Sequence, residues 1–269
     1  MTRTSLVLTL GLALAACPPV LPDVPVPDSG LRSPVFKHAH NDYEHARPLF
    51  DALDQRFESV EADVWLNGDD IGVSHTGAPF KGSLKSLYLE PLAQQARQRG
   101  SINGAPFFLW LDLKQGDGKL LDLIAAQLGE YPGVFTRFQD DQPALSAAVT
   151  VILTGNDAGK KALVQRASPR PYARDSNSYS PMDPPADSRW GAYALNYYAF
   201  MQWDGVGAIP PVQKKQLENL VNGAHALGRQ VRLYGCPETK EWWRAAKAAG
   251  VDFVGGDDLA AIAAVFSER

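Results

Sequence analysis

Only two cysteines, Cys17 and Cys236, occur in the 269 residues. With Cys17 used elsewhere, no intramolecular disulfide can form, and the fold must be held by its core. A basic excess is also missing. Twenty-six Lys and Arg face 30 Asp and Glu, a formal charge of -4, so nothing here would neutralise a nucleic-acid backbone and nucleic acid is not an expected partner. Histidine is scarce, with five in all. What is present, 45% hydrophobic and 21% charged residues, suits a globular enzyme with a sizeable core.

The first seventeen residues read as a signal peptide: Arg3 gives a positive start, and Leu6 to Leu14 form an apolar stretch too short to cross a membrane as a helix. Leu14-Ala15-Ala16-Cys17 is similar to the lipobox of bacterial lipoproteins, in which the preceding peptide is cleaved and the cysteine acylated. The expectation is therefore an exported protein of the bacterial cell envelope, held to the membrane by a lipid on Cys17. Residues 18–33 contain five prolines and no apolar period, which predicts an extended tether. Residues 34–269 have the length of one domain, expected to be a monomer.

From Val35 onward, short apolar runs that end in polar residues alternate with helical patterns, as in repeated βα units around a parallel sheet. Strands are predicted at Val35–His38, Ser59–Val64, Phe107–Leu113, Val149–Leu153, Ala192–Tyr197, Gln230–Tyr234 and Phe253–Val254, with one more near Pro171–Arg174. Helices are predicted at Pro48–Gln55, Leu87–Arg99, Lys119–Leu128, Asp157–Arg166, Pro211–Leu227, Glu238–Ala249 and Leu259–Ser267. Order and count point to a single (β/α)8 TIM barrel, whose catalytic groups sit at the C-terminal ends of the strands.

Those strand ends carry chemistry. The first runs into His38-Ala39-His40-Asn41, the second holds Glu61-Ala62-Asp63, Gly72-Val73-Ser74-His75 follows, and the third holds Asp112-Leu113-Lys114. Residues two apart on a strand share a face, so Glu61 and Asp63 point the same way. Their flanks, Val60, Ala62, Val64 and Trp65, make the strand apolar on its other positions, and enclosed carboxylates repel unless a cation offsets them. One divalent ion on Glu61, Asp63 and Asp112 is expected, and oxygen ligands suit Mg2+ or Ca2+.

Other features have plainer explanations. His45 lies in a polar loop and His225 on a predicted helix, with no constellation around either. Lys114 has two roles open to it, a rim lysine or a functional one. Arg232 is open between phosphate contact and a structural ion pair. Asp257 and Asp258 suit helix caps, and Trp203, Trp242 and Trp243 suit core or rim aromatics.

The succession HAHNDYEHARPLFDAL, VEADVWL, VSHTG, LWLDLK and GVDFVGGDDL resembles the superfamily of glycerophosphodiester phosphodiesterases, phosphatidylinositol-specific phospholipases C and sphingomyelinase D. The HxHNDY opening and the late VRLYGCPETKEWWRAAKAAGVD are similar to the altered-inheritance-of-mitochondria protein six group. The resemblance implies a phosphoric diester hydrolase acting on a glycerophosphodiester, lysophospholipid or related phosphodiester. It implies that two histidines act as acid and base around a metal-bound phosphodiester, that Glu61, Asp63 and Asp112 hold the cation, and that Lys114 contacts phosphate. His38 and His75 match the two histidine positions. The usual His-Arg-Gly opening is absent, with His40-Asn41 standing where Arg-Gly would lie, so the first catalytic histidine is His38 or His40. The end of the strand favours His38, with His40 or Asn41 supporting.

Two rivals remain. Barrels of the amidohydrolase and polymerase-and-histidinol-phosphatase types also open with His-x-His, but they take further histidines from later strands, and after His75 the sequence holds only His225. The other rival is a catalytically inactive envelope lipoprotein that uses aromatics near Trp203 and Trp243 to hold a lipid or glycan.

Overall fold

A computed structural model describes residues 34–268. The leader, Cys17 and the tether over 18–33 lie outside the described residues. The chain opens with β1 (Phe36–Ala39), α1 (Phe50–Asp54), β2 (Ser59–Asn67), β3 (Asp70–Val73) and β4 (Gly82–Ser83). It continues through α2 (Glu90–Arg99), β5 (Phe107–Leu113), α3 (Gly118–Gly129), β6 (Val149–Gly155), α4 (Asp157–Val164), β7 (Ala173–Ser176) and β8 (Trp190–Asn196). It ends with α5 (Pro211–Ala226), β9 (Gln230–Tyr234), α6 (Lys240–Ala249), β10 (Phe253–Gly256) and α7 (Leu259–Ser267).

The strands run in the order β1-β10-β9-β8-β7-β6-β5-β2, and β1 pairs back onto β2, which closes the barrel. All eight of these pairings are parallel. The (β/α)8 architecture is therefore as expected, including the weakly signalled seventh-strand segment, which lies at Ala173–Ser176. Among the described residues no helix is long and apolar enough to cross a membrane.

A feature not expected from the sequence is a hairpin leaving the barrel wall. β2 runs on to Asn67, and β3 returns antiparallel to it with Asn67 opposite Asp70, then β4 pairs with β3. The two loop residues are Gly68 and Asp69, and Gly68, at φ +61°, supplies the left-handed backbone that a two-residue hairpin loop takes at its first position. The helix predicted from Leu87 begins instead with a wider π-type turn at Lys85–Leu89. Pro91 has no N–H for the carbonyl four residues back, so the regular ladder starts only at Glu90.

The alternation of side chains along each strand sorts the molecule into layers. Val60, Ala62, Val64, Leu109, Leu111, Val151, Leu153 and Val231 face outward into one cluster with the helices. Phe36, Phe108, Trp110, Ile152, Ala192, Ala194 and Phe253 face inward and fill the barrel. Phe36, Phe108 and Phe253 stack at its floor with ring centroids 4.9–5.6 Å apart. Followed upward, the same inward positions become polar: His38 and His40, Glu61 and Asp63, Asp112, Thr154, and Arg232. The fold thus delivers charged groups to one end of a hydrophobic plug.

Candidate active site

At the mouth, a cavity of about 440 Å³ is lined by His40, Glu61, Asp112, Lys114, Thr154, Asn156, Asn177, Arg232 and Tyr234, among others. Asp63 lies opposite Asp112 in the β2–β5 register, and the ligand atoms of Glu61, Asp63 and Asp112 lie within 4.8 Å of one another. Gly155 makes this closeness feasible. It sits at φ +79°, and a Cβ there would run into the Asp112 carboxylate.

Each carboxylate has a different neighbour. Arg232 grips Glu61 with two parallel bonds, Nη1 to Oε1 and Nη2 to Oε2, both 2.7 Å, and both residues are buried. Of the two roles open to Arg232, the structure forms the ion pair. Burial alone would push the Glu61 carboxyl up, but Arg232, with His40 and His38, holds it at about 2. Burial and the adjacent Glu61 push the Asp63 carboxyl up. Lys114 Nζ lies 2.8 Å from Asp63 Oδ2 and 2.9 Å from Asp112 Oδ2, at the rim as well as among the acids. Even so, both Asp63 oxygens are enclosed and neither receives a well-directed hydrogen bond.

These observations fit a hard divalent cation. Three converging carboxylates, one of them buried without directed donors, are left with one net negative charge after Lys114 and Arg232 are counted. The site has the charge and the oxygen donors for such an ion.

The two histidines of the opening motif differ by one layer. β1 ends at Ala39, so His40, not His38, stands at the mouth. His38 is 2% exposed, level with Ser59 and Gly255. Its Nδ1 is 2.8 Å from Ser59 Oγ, and its ring packs against Trp110 and Phe253. Burial and then the charge of Arg232 hold its pKa well below the usual histidine value. His40 lines the cavity, with Nδ1 2.8 Å from Asp257 Oδ1 and Nε2 3.7 Å from Glu61 Oε2. Burial opposes protonation of His40, but the Asp257 hydrogen bond and the Glu61 charge outweigh it and raise the pKa. His38 Nε2 lies 3.9 Å from the same Glu61 Oε2, so both histidines of the opening motif flank that carboxylate, His38 from below and His40 at the mouth.

His75 reaches the site through the hairpin. Ser74 N donates to Asp63 O at 3.2 Å, which sets the next residue beside that aspartate. His75 Nδ1 is 3.3 Å from Asp63 Oδ2 and 3.4 Å from Tyr43 Oη. Asn41 takes a left-handed turn at φ 45° and accepts from Tyr43 Oη at 2.8 Å, so it braces the tyrosine beside His75.

Sequence reasoning missed Asp257, Tyr43 and Asp42. Asp257 follows β10, which a closed barrel places beside β1, so Gly255-Gly256-Asp257 carried a usable signal; only Asp258 acts as the cap of α7, through Ala261 N at 2.9 Å. Asp42 is fully buried and accepts from Leu49 N (2.6 Å) and Tyr88 Oη (2.8 Å). Burial pushes its carboxyl up to about 6. A carboxyl raised in the folded state contributes stability below its unfolded value near 4, and loses it as pH rises through about 6. Urea unfolding of Asp42→Asn should lack that fall, worth about 3 kcal/mol between pH 4 and 7; parallel pH curves for the two proteins would refute this.

The cation-holding group found among the described residues contains no histidine, and His225 lies away from it, paired with Asp252 at 2.7 Å. Trp203, Trp242 and Trp243 are buried in the core, so none of the three rings itself offers a binding surface.

Comparison with known proteins agrees with the resemblance in the motifs. Residues 31–105 match the AIM6-like phosphodiesterase domain. The chain is 26% identical over 272 residues to altered inheritance of mitochondria protein 6 of Lachancea thermotolerans, covering 82% of this chain and 63% of that protein. The protein of the same name from Eremothecium gossypii is 27% identical over 266 residues, 84% and 68% of the two chains. In Kluyveromyces lactis the identity is 40% over 83 residues, 29% of this chain and 19% of the relative. The chain thus spans a little under two thirds of the length of relatives such as the first. Among solved structures, a glycerophosphodiester phosphodiesterase from Agrobacterium tumefaciens superposes with a TM-score of 0.52 at 14% identity, over 87% of this chain and 100% of that one, which shows the shared barrel. The domain match rests on residues 31–105 and the superposition on the barrel alone. The expected location is corrected: the curated relatives are yeast proteins named for mitochondrial inheritance, which points away from a lipid-anchored protein of the bacterial envelope.

Proposed function

We propose that this chain is a divalent-metal-dependent phosphoric diester hydrolase acting on a glycerophosphodiester, lysophospholipid or related phosphodiester. The observation that carries the reading is the enclosed, poorly satisfied Asp63 within the Glu61, Asp63 and Asp112 group, with a histidine beside each buried member. These three residues would hold Mg2+ or Ca2+, which when bound supplies Lewis-acid stabilisation of charge on a phosphate oxygen. A dication on a group with one net negative charge leaves the site positive by one. That matches the single charge of a phosphodiester.

The chain's own groups do the rest. Arg232 fixes Glu61 so that its carboxylate cannot swing away. Lys114, at the cavity wall, offers an ammonium to a phosphate oxygen. His40, whose protonation Asp257 and Glu61 favour, donates its proton to the leaving alkoxide from Nε2. His75, beside Asp63, accepts the proton of the attacking hydroxyl, whether a neighbouring substrate hydroxyl or water. Tyr43 and Asn41 hold the His75 side of the site in place. Attack by a neighbouring hydroxyl would release a cyclic phosphate first.

Purified protein supplied with Mg2+ or Ca2+ is expected to hydrolyse bis(p-nitrophenyl) phosphate or a glycerophosphodiester, and to lose that activity in EDTA. Turnover that persists in EDTA would contradict the metal assignment. No turnover of any diester would contradict the enzyme reading.

A further inference from the structure

The end of the barrel away from the acids holds a second cavity. Three segments wall it: the C-terminal turn of α3, residues 131–137 leading into β6, and residues 167–172 leading into β7. They lie at the N-terminal ends of the strands, whereas the site described above stands at the C-terminal ends. The cavity measures about 180 Å³, and an apolar protein cavity of about 150 Å³ accepts benzene. Its size therefore suits one six-membered ring.

The lining suits a ring as well. Tyr131 and Phe135 stand at 87° to each other with centroids 6.1 Å apart, and Leu128, Pro132, Pro169 and Tyr172 extend the apolar surface. Aromatic rings pack well edge to face. The walls are fixed by their own bonds: Phe138 N donates to Arg170 O at 2.8 Å and Arg170 N to Phe138 O at 3.0 Å, which ties one loop to the other.

The charged side chains of the lining are both cationic, Arg137 and Arg170, with no acidic residue among them. Arg170 is 1% exposed and already paired, with Nη1 2.9 Å from Asp140 Oδ1. Asp140 also accepts from Arg189, so one carboxylate serves two guanidiniums. Arg137 is half-buried and makes no ion pair among the described residues. Two further donors on lining residues, Tyr131 Oη and Arg170 Nε, are enclosed and meet no acceptor. The cavity thus combines an apolar surface with one uncompensated positive charge.

We propose that this cavity binds a small aromatic monocarboxylate, its ring among Tyr131, Phe135 and Tyr172 and its carboxylate on Arg137. A carboxylate matches the planar fork of a guanidinium, and one negative charge cancels the one unpaired cation. An inorganic anion would leave the apolar lining unfilled, and an uncharged ring would leave Arg137 unpaired. The proposal stands apart from the hydrolase reading, because it draws on no residue of the acidic site.

Calorimetric titration of the full chain in EDTA with benzoate, benzyl alcohol and acetate, at one ionic strength, tests it. Benzyl alcohol keeps the ring without the charge, and acetate the charge without the ring. Benzoate is expected to bind more tightly than either by about tenfold, the value of one charge-assisted hydrogen-bonding contact. Arg137→Met should bring benzoate down to the level of benzyl alcohol and leave benzyl alcohol unchanged. Ala125→Phe, which sends a ring into the cavity from the half-buried face of α3, should abolish binding of both; should that variant fail to fold, Arg137→Met alone decides. Benzoate bound no more tightly than acetate, a preference that survives Arg137→Met, or binding that survives in folded Ala125→Phe would each overturn the proposal.

Discussion

Arg232→Met is expected to destabilise the fold by about 3–5 kcal/mol, because it leaves Glu61 as an uncompensated charge inside the barrel. Glu61 is 3% exposed and keeps its carboxyl ionised mainly through the two bonds from Arg232. The sign of the pH dependence follows. Since the folded carboxyl is depressed to about 2, the stability it contributes is present above its unfolded value near 4.5 and is lost as pH falls towards 2. In Arg232→Met that dependence should reverse, with the variant gaining stability relative to the parent as the solution is acidified and Glu61 protonates. The double variant Arg232→Met with Glu61→Gln should recover much of the loss at pH 7, because it removes the stranded charge. Urea unfolding of the two variants reads both effects. A single variant as stable as the parent would show that Glu61 is not held by this pair.

The second large effect separates the two histidines of the opening motif. His40→Asn is expected to lower kcat by about 10²- to 10⁴-fold, the usual contribution of a positioned acid, with little effect on unfolding. The parent's activity should decline on the alkaline side as His40, whose pKa is raised, gives up its proton. The variant should lack that limb. His38→Asn should do the opposite: His38 is enclosed between Ser59, Trp110 and Phe253, so its loss weakens the barrel while the folded fraction keeps its kcat. Equal losses of kcat at both positions would refute the assignment.

The barrel was legible because short apolar runs that end in polar residues alternate with helical patterns, and inward positions recur with period two. Glu61 and Asp63 could be placed on one face from spacing alone, and Asp112 joined them once adjacent strands were assumed parallel. The choice between His38 and His40 was not legible, since it turns on whether β1 ends one residue earlier or later, and a one-residue shift changes which layer a side chain occupies. The hairpin of β2 and β3 was missed although Gly68-Asp69 offered its turn, and it is the device that returns His75 to Asp63. Arg232, Asp257 and Lys160 have no local signal for their partners: they lie 171, 217 and 15 residues from Glu61, His40 and Asp175 respectively. Only closure of the barrel brings the first two pairs together.

Phosphorus NMR of a glycerophosphodiester incubated with the Mg2+-supplied chain tests the central claim most directly. The diester resonance should be replaced by that of a monoester or a cyclic phosphate, at a rate that falls steeply in His40→Asn and in the presence of EDTA. A diester resonance unchanged by the parent protein, or converted equally fast by His40→Asn, would contradict the account.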